Sequence, residues 1–282
     1  MHDRLEGEPL RVSTSGGVCV ATIDAPPVNV MTRALFRALA ELAESVESDD
    51  TIRVLVLRSA DPEFFIAHFD VESLLTMPVD GEPRRPDQLT GFHLMCERLR
   101  TMDTVTIAEI AGRVGGGGAE LAASCDMRFG ALGGMVLNQM EVPIGILPGG
   151  TGTQRIPRLV GRGRAMEIVL GGVDIDAETA DRWGWLNRAL PADELTPFVD
   201  ELAARIAGFP ATAVSAAKRS VLNAEQLPLI DGLSEEQYLF QRLIRTPEAR
   251  QRMQAFLDAG GQTREGERQV AELGVVPGTT PN

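Results

Sequence analysis

Four consecutive glycines, Gly115 to Gly118, lie between an apolar run, Val105–Ile110, and a stretch of helix-forming residues, Ala119–Cys125. Glycine accepts backbone conformations and close approaches closed to other residues, so the pattern predicts a strand ending in a bare backbone turn that feeds a short helix. Amides projecting at a helix N-terminus are orphan donors, suited to an anion or to an oxygen that becomes anionic during reaction. Glu120 sits just inside that helix, and Glu141 follows about one short strand later. Two carboxylates beside an oxyanion donor point to acid/base chemistry next to a carbonyl. The same residues also admit a plainer reading, a glycine-rich turn needed for close packing with both glutamates solvated.

The chain on either side alternates strand and helix patterns. Leu10–Ser13 and Val18–Ile23 read as a hairpin around Gly16-Gly17. Thr32 caps a predicted helix in which Leu35, Leu39, Leu42 and Val46 recur at helical spacing, and Ile52–Leu57 is an apolar run expected of a strand covered on both faces. A second helix over Leu89–Met102 leads to Val105–Ile110. This β-α-β order predicts α/β architecture with right-handed crossovers. Met77–Asp87, with its prolines and Arg84-Arg85, reads as a mobile surface loop able to wall a cleft, and Pro143–Gly152 reads as irregular. Further helices are expected over Arg164–Leu170, Ala177–Trp183, Thr196–Ile206, Ala211–Asn223 and Ser234–Leu257.

A formal net charge of −13 over 282 residues argues against nucleic acid or an anionic membrane as the main partner, since both need clustered cations. Arg84-Arg85, Arg162 with Arg164, and Lys218-Arg219 remain local seats for a polyanionic ligand. Three widely spaced cysteines, Cys19, Cys96 and Cys125, fit reduced, buried thiols better than a disulfide framework. The first residues carry no apolar signal core and no apolar run approaches a membrane-spanning length, so the expected location is cytoplasmic.

Several stretches resemble the enoyl-CoA hydratase/isomerase, or crotonase, superfamily in order and spacing, over roughly Leu10 to Ala259. They are Pro27–Met31, Phe64–Asp70, Ala111–Asp126, Glu141 with Gly145–Pro157, and Trp183–Asn187. The resemblance implies an α/β fold built as a crotonase-like spiral of ββα units with a helical C-terminal oligomerisation region. The core would span residues 1–195, the C-terminal helices 196–260, and a tail expected to be disordered 261–282. It further implies an acyl-CoA substrate whose thioester carbonyl is held by the backbone amides of Phe69 and Gly117, and a homotrimer or a hexamer made of two trimers. Glu120 and Glu141 fall on the two glutamate positions that hydratases use, and Ala67, His68, Gly116, Pro148 and Gly149 on substrate-binding ones. The implied activity is syn addition of water to a trans-2-enoyl-CoA, giving a 3-hydroxyacyl-CoA. No cofactor is expected, because coenzyme A enters as part of the substrate. An enoyl-CoA isomerase, a diketone carbon–carbon hydrolase, or a non-catalytic acyl-CoA-binding homologue are the alternatives.

His68 departs from the family pattern, which usually has glycine there. Its imidazole either fills space or touches the substrate, and Phe69 at the next position would narrow the pocket. Asp70 reads as the N-cap of a helix starting at Val71. No metal site is expected, since His68-x-Asp70 lacks a further ligand at suitable spacing. No G-x-S-x-G elbow occurs, and the glycine run lacks the Lys-Ser/Thr of a phosphate loop. Trp183 and Trp185 read as packing residues.

Overall fold

Residues 9–82, 85 and 87–273 are described by the computed structural model. Strands β1 (Leu10–Ser15) and β2 (Val18–Ile23) form the expected hairpin, with Gly16 and Gly17 both at positive φ in its two-residue turn. Such a turn matches the right-handed twist of the strands it joins. Helix α1 (Arg33–Ser48) begins where the Thr32 hydroxyl accepts from the Leu35 amide at 3.3 Å, and it buries Leu35, Leu39, Leu42 and Val46.

From there each turn of the chain gives one strand to each of two sheets. β3 (Val54–Ser59) is followed by β4 (Phe64–Ile66), β5 (Val105–Ile110) by β6 (Arg113–Gly115), and β7 (Met127–Ala131) by β8 (Val136–Asn138). The first strand of each pair runs parallel to its counterparts in one sheet, and the second does so in the other. β9 (Ile175–Asp176) closes the smaller sheet antiparallel to β8, and β10 (Arg188–Leu190) extends the larger one beside β7. The sheet orders are β1-β2-β3-β5-β7-β10 and β4-β6-β8-β9. The corners between paired strands stack directly. A Cβ on Gly112 would collide with the Glu63 backbone, and one on Gly134 would stand 2.5 Å from the Ala111 carbonyl oxygen.

Between and after the strands come α2 (Val71–Leu75), α3 (Gly91–Thr101), α4 (Gly116–Ala122), α5 (Gly152–Val160), α6 (Arg162–Gly171), α7 (Ala177–Trp183) and α8 (Ala192–Ala207). The period-2 alternation of β3 feeds two cores. Leu55 and Leu57 face the main core with α1 and α3, while Val54 and Val56 meet Leu195, Val199 and Ala203 of α8. The larger sheet is therefore covered on both faces, and α8, which straddles the expected boundary at 195/196, packs on the sheet.

Four expectations are corrected. The glycine run does not directly follow β5: Gly115 ends the short strand β6, and Gly116–Gly118 already form the first turn of α4. Pro143–Gly152 is only partly irregular, containing a 3-10 turn at Val142–Ile144 and leading into α5. The predicted helix over Ser234–Leu257 is two, α10 (Leu229–Leu243) and α11 (Pro247–Asp258), preceded by α9 (Ala211–Asn223). Thr246 caps α11 by accepting from the Ala249 amide at 3.2 Å, and Pro247 occupies the first helical position, where a missing N–H costs nothing. Past Gly260, residues expected to lack order form a 3-10 turn, Gly266–Gln269, and α12 (Val270–Leu273), whose Ala271 carbonyl accepts from Arg205. Residues 274–282, and Pro83, Arg84 and Pro86 of the predicted loop, lie outside the described residues. No helix among the described residues is long and apolar enough to cross a membrane.

Candidate active site

The segment after β4, Ala67-His68-Phe69, lies against the start of α4. A Cβ on Gly115 would strike the Ala67 carbonyl oxygen, one on Gly116 would stand 3.1 Å from His68 Cβ, and one on Gly117 would stand 3.2 Å from Phe69 Cβ. Three successive glycines thus let two backbone segments touch. Gly116 also has a φ of 46°, in the left-handed region that favours glycine.

Phe69 and Gly117 meet at this contact, and no hydrogen bond is made by either amide among the backbone bonds of the described residues. The His68 carbonyl accepts from the Met31 amide at 2.8 Å, and a trans peptide points its C=O and N–H in opposite directions. The Phe69 N–H therefore faces away from Met31, and its nitrogen lies 3.5 Å from the point a Gly117 Cβ would occupy. No hydrogen bond occupies that N–H among the described residues. Gly117 sits in the first turn of α4, where amides lack intrahelical partners, and the N-cap Gly115 offers no side chain to fill the gap.

Asn29 holds this layer from behind. Buried, with a φ of 50°, it accepts from the Ala25 amide at 2.8 Å and donates to Ser59 Oγ at 2.8 Å, the Phe64 carbonyl at 3.0 Å and the Phe65 carbonyl at 3.1 Å. Asp70 caps α2 as expected, accepting from the Glu72 amide at 3.1 Å and the Ser73 hydroxyl at 2.5 Å.

The glutamates are buried, at 4% exposure for Glu120 and 8% for Glu141, so the solvated reading of the pair fails. Their environments differ sharply. Glu120 Oε1 accepts three backbone hydrogen bonds from the turn into α5: Gly150 at 2.8 Å, Thr151 at 2.7 Å and Gly152 at 2.7 Å. Glu141 sits by the α4 start, its Oε1 3.0 Å from where a Gly116 Cβ would stand, and its Oε2 is buried without a partner. Burial, and secondarily the negative charge of Glu120, push the Glu141 carboxyl up to about 7. One fixed carboxylate thus neighbours an acid that can carry a proton near neutrality.

Pro148 is buried, its Cβ 2.8 Å from the point a Gly152 Cβ would take, so it wedges the turn that grips Glu120. Gly149 is exposed, and a Cβ there would meet only Leu147 at 3.6 Å, so the structure does not bring it to the glutamates.

Similarity to known proteins agrees with this geometry. A family model described as enoyl-CoA hydratase/isomerase matches residues 13–264. The chain belongs to the enoyl-CoA hydratase/isomerase family. It is 32% identical over 252 residues to "Probable enoyl-CoA hydratase" of Rhizobium meliloti, covering 89% of this chain and 95% of that protein. It is 30% identical over 258 residues to 2,3-dehydroadipyl-CoA hydratase of Escherichia coli, covering 88% and 95%. The crystal structure of an enoyl-CoA hydratase from Bacillus anthracis superposes with a TM-score of 0.81 at 28% identity, covering 89% and 96%. The two interleaved sheets are thus the crotonase-like spiral, with a helical C-terminal region.

Other participants in this family member were not singled out from the sequence. Phe92 of α3 packs edge-on to Phe69, with ring centroids 6.3 Å apart, and its Cε1 lies 2.6 Å from where a Gly150 Cβ would stand. Gly150, Thr151 and Gly152 were legible only as a glycine-rich stretch, because their shared target lies 30 residues upstream. Of the basic residues named as anion seats, Lys218 is bound to Asp126 at 2.8 Å and to the Thr104 carbonyl, and Arg164 lies over Trp183, while Arg84 lies outside the described residues. Trp185 is fully buried under the Arg128 guanidinium, a packing role. All three cysteines are buried and free, and burial pushes Cys96 and Cys125 up to about 12. Among the described residues no three His, Cys, Asp or Glu side chains group as metal ligands.

Proposed function

We propose that this site hydrates a trans-2-enoyl-CoA to a 3-hydroxyacyl-CoA by syn addition. The observation that carries the reading is the unequal pair of buried glutamates beside two free amides. Phe69 and Gly117 would hold the thioester oxygen, which becomes enolate-like as water attacks; one such donor is typically worth about 3 kcal/mol in the transition state. Glu120, its Oε1 immobilised, has Oε2 left to take a proton from water as the oxygen adds to the β-carbon. Glu141, held protonated up to about pH 7, gives its proton to the α-carbon. Proton exchange with solvent then returns the pair to its starting state.

The family description covers isomerases as well as hydratases. Moving a double bond needs one carboxyl to carry a proton, whereas adding water needs a base for the water and an acid for the carbon. Two buried carboxyl groups in contrasting environments support the second. The same reading takes an acyl-CoA as substrate and no separate cofactor. It also includes a homotrimer, or a hexamer of two trimers, assembled over the C-terminal helices, where Leu229, Ile230 and Phe240 are exposed. Reduced, buried thiols suit a cytoplasmic setting.

Incubation with crotonyl-CoA, following loss of the conjugated-thioester absorbance, tests the reaction. Decay is expected, and its absence at high enzyme concentration removes the hydratase reading.

A further inference from the structure

Phe92, near the start of α3, stands in a row of three aromatic rings. It stacks on Phe36 of α1, with centroids 6.2 Å apart and planes at 30°, and packs edge-on to Phe69 with centroids 6.3 Å apart. All three rings are half-buried and rest on the main core. The turn into α5 closes the remaining side. Glu120 Oε2 and, at 2.6 Å, Phe92 Cε1 both crowd the point a Gly150 Cβ would occupy. The ring edge and that carboxylate oxygen therefore flank one gap too small for a methyl group. The His68 imidazole is committed elsewhere, its Nδ1 donating to the Phe69 carbonyl at 2.9 Å.

In an enoyl thioester the carbonyl carbon and the β-carbon are two bonds apart. With the carbonyl at the Phe69 amide and the β-carbon facing the water on Glu120 Oε2, the enoyl unit runs from one residue toward the other, and Phe92 touches both. The rest of the acyl chain leaves from the β-carbon, beside this ring. A chain could pass if the ring swung aside, but Phe36 on its face, Phe69 at its edge and the Gly150 backbone at its rim hold it, and leaving that packed position forces strained rotamers. We propose that Phe92 is the specificity-determining residue for acyl-chain length: its locked ring stops the chain a few carbons past the β-carbon and restricts the substrate to short trans-2-enoyl thioesters. This rests on the hydratase reading, which sets the β-carbon beside Glu120. Where neither wall nor chain can yield, each surplus methylene costs about 10-fold or more in kcat/KM.

The test measures kcat/KM for crotonyl-CoA, a four-carbon acyl group, and for trans-2-decenoyl-CoA, a ten-carbon one, in the unaltered enzyme, Phe92→Ala and Phe92→Leu. The unaltered enzyme is expected to favour crotonyl-CoA by at least about 100-fold. In Phe92→Ala kcat/KM falls about 3- to 10-fold for crotonyl-CoA, which loses a wall, and rises about 10-fold or more for decenoyl-CoA, which gains room. Phe92→Leu keeps apolar bulk for folding without the reach of the ring, and moves the two values in the same opposite directions by smaller factors. Lost packing alone lowers both values together, so the opposed signs separate specificity from structure. An unchanged preference in Phe92→Leu, or an unaltered enzyme that hydrates decenoyl-CoA at least as well as crotonyl-CoA, overturns the role of Phe92 and leaves the hydratase reading standing. Hydration of neither substrate by the unaltered enzyme overturns that reading, and the role of Phe92 with it.

Discussion

Thr151 holds Glu120 twice, its amide donating to Oε1 at 2.7 Å and its hydroxyl to the Glu120 backbone carbonyl at 3.2 Å. With Gly150 and Gly152 on the same oxygen, a turn 30 residues downstream fixes a carboxylate that its own helix leaves free to rotate. The glycines serve here by lacking a Cβ. On Gly150 a Cβ would meet Glu120 Oε2 and the Phe92 ring, the latter at 2.6 Å. Gly150→Ala should therefore displace the Glu120 carboxylate and lower kcat by about 100-fold, the scale of a 1 Å misplacement. Gly163→Ala is the control. That glycine lies inside α6 with nothing within 4 Å, so alanine there should stabilise by about 0.5–1 kcal/mol and leave kcat alone. Equal kcat in both variants would show that Glu120 does not depend on this turn.

Replacing either acid by its amide separates chemistry from binding. Glu120→Gln loses the base for water, and Glu141→Gln loses the proton donor to carbon, with shape and burial nearly kept. Each should cut hydration by at least about 100-fold, the lower end for a positioned acid or base, while the thioester Kd stays within a few-fold. Unchanged turnover in either variant contradicts the role assigned to it.

How much of this was legible in the chain depends on how local each cause is. The α1 face, the Thr32 and Asp70 caps and the β5 strand follow from residues within a few positions of one another, and all were readable. The break between α10 and α11 was not read, although its cause is equally local: Thr246-Pro247 is a helix-start signal. Glu120 and Glu141 stood out because of the glycine run beside them. Their inequality did not, because it arises from the Gly150–Gly152 amides and from burial, which only the closed spiral supplies. Likewise the side-chain bond of His68 depends on the conformation of a segment pinned by Met31, more than 30 residues upstream.

Asn29 offers a stability test of that pinning. Its side chain serves four partners in three segments, and its φ of 50° is strained for most residues. Asn29→Ala would leave the Ala25 amide and the Phe64 and Phe65 carbonyls without this partner and keep the backbone strain. A loss of about 2–4 kcal/mol is expected by urea unfolding at fixed protein concentration, from unmade buried hydrogen bonds plus strain. Asn29→Asp keeps the acceptor for Ala25 but loses every donor, so it should recover only part. A loss under about 1 kcal/mol in the alanine variant would mean that β4 is held without Asn29.

The raised Glu141 carboxyl makes two pH predictions with linked signs. Catalysis by its protonated form is complete below about 7 and lost above it, so kcat/KM for hydration should fall with an apparent pKa near 7. For stability, the folded value of about 7 lies above the ordinary 4.5, so folding favours the protonated form. The penalty for burying the charge is absent below about 4.5, grows as the pH rises toward 7, and is constant beyond it, reaching roughly 2–3 kcal/mol once the burial is discounted for partial solvent access. Glu141→Gln carries no such charge, so relative to the unaltered protein it should gain stability between pH 5 and pH 8 in urea unfolding. A kcat/KM profile flat to pH 9, together with a stability difference that does not change across that interval, would mean that Glu141 is ionised throughout and cannot be the acid.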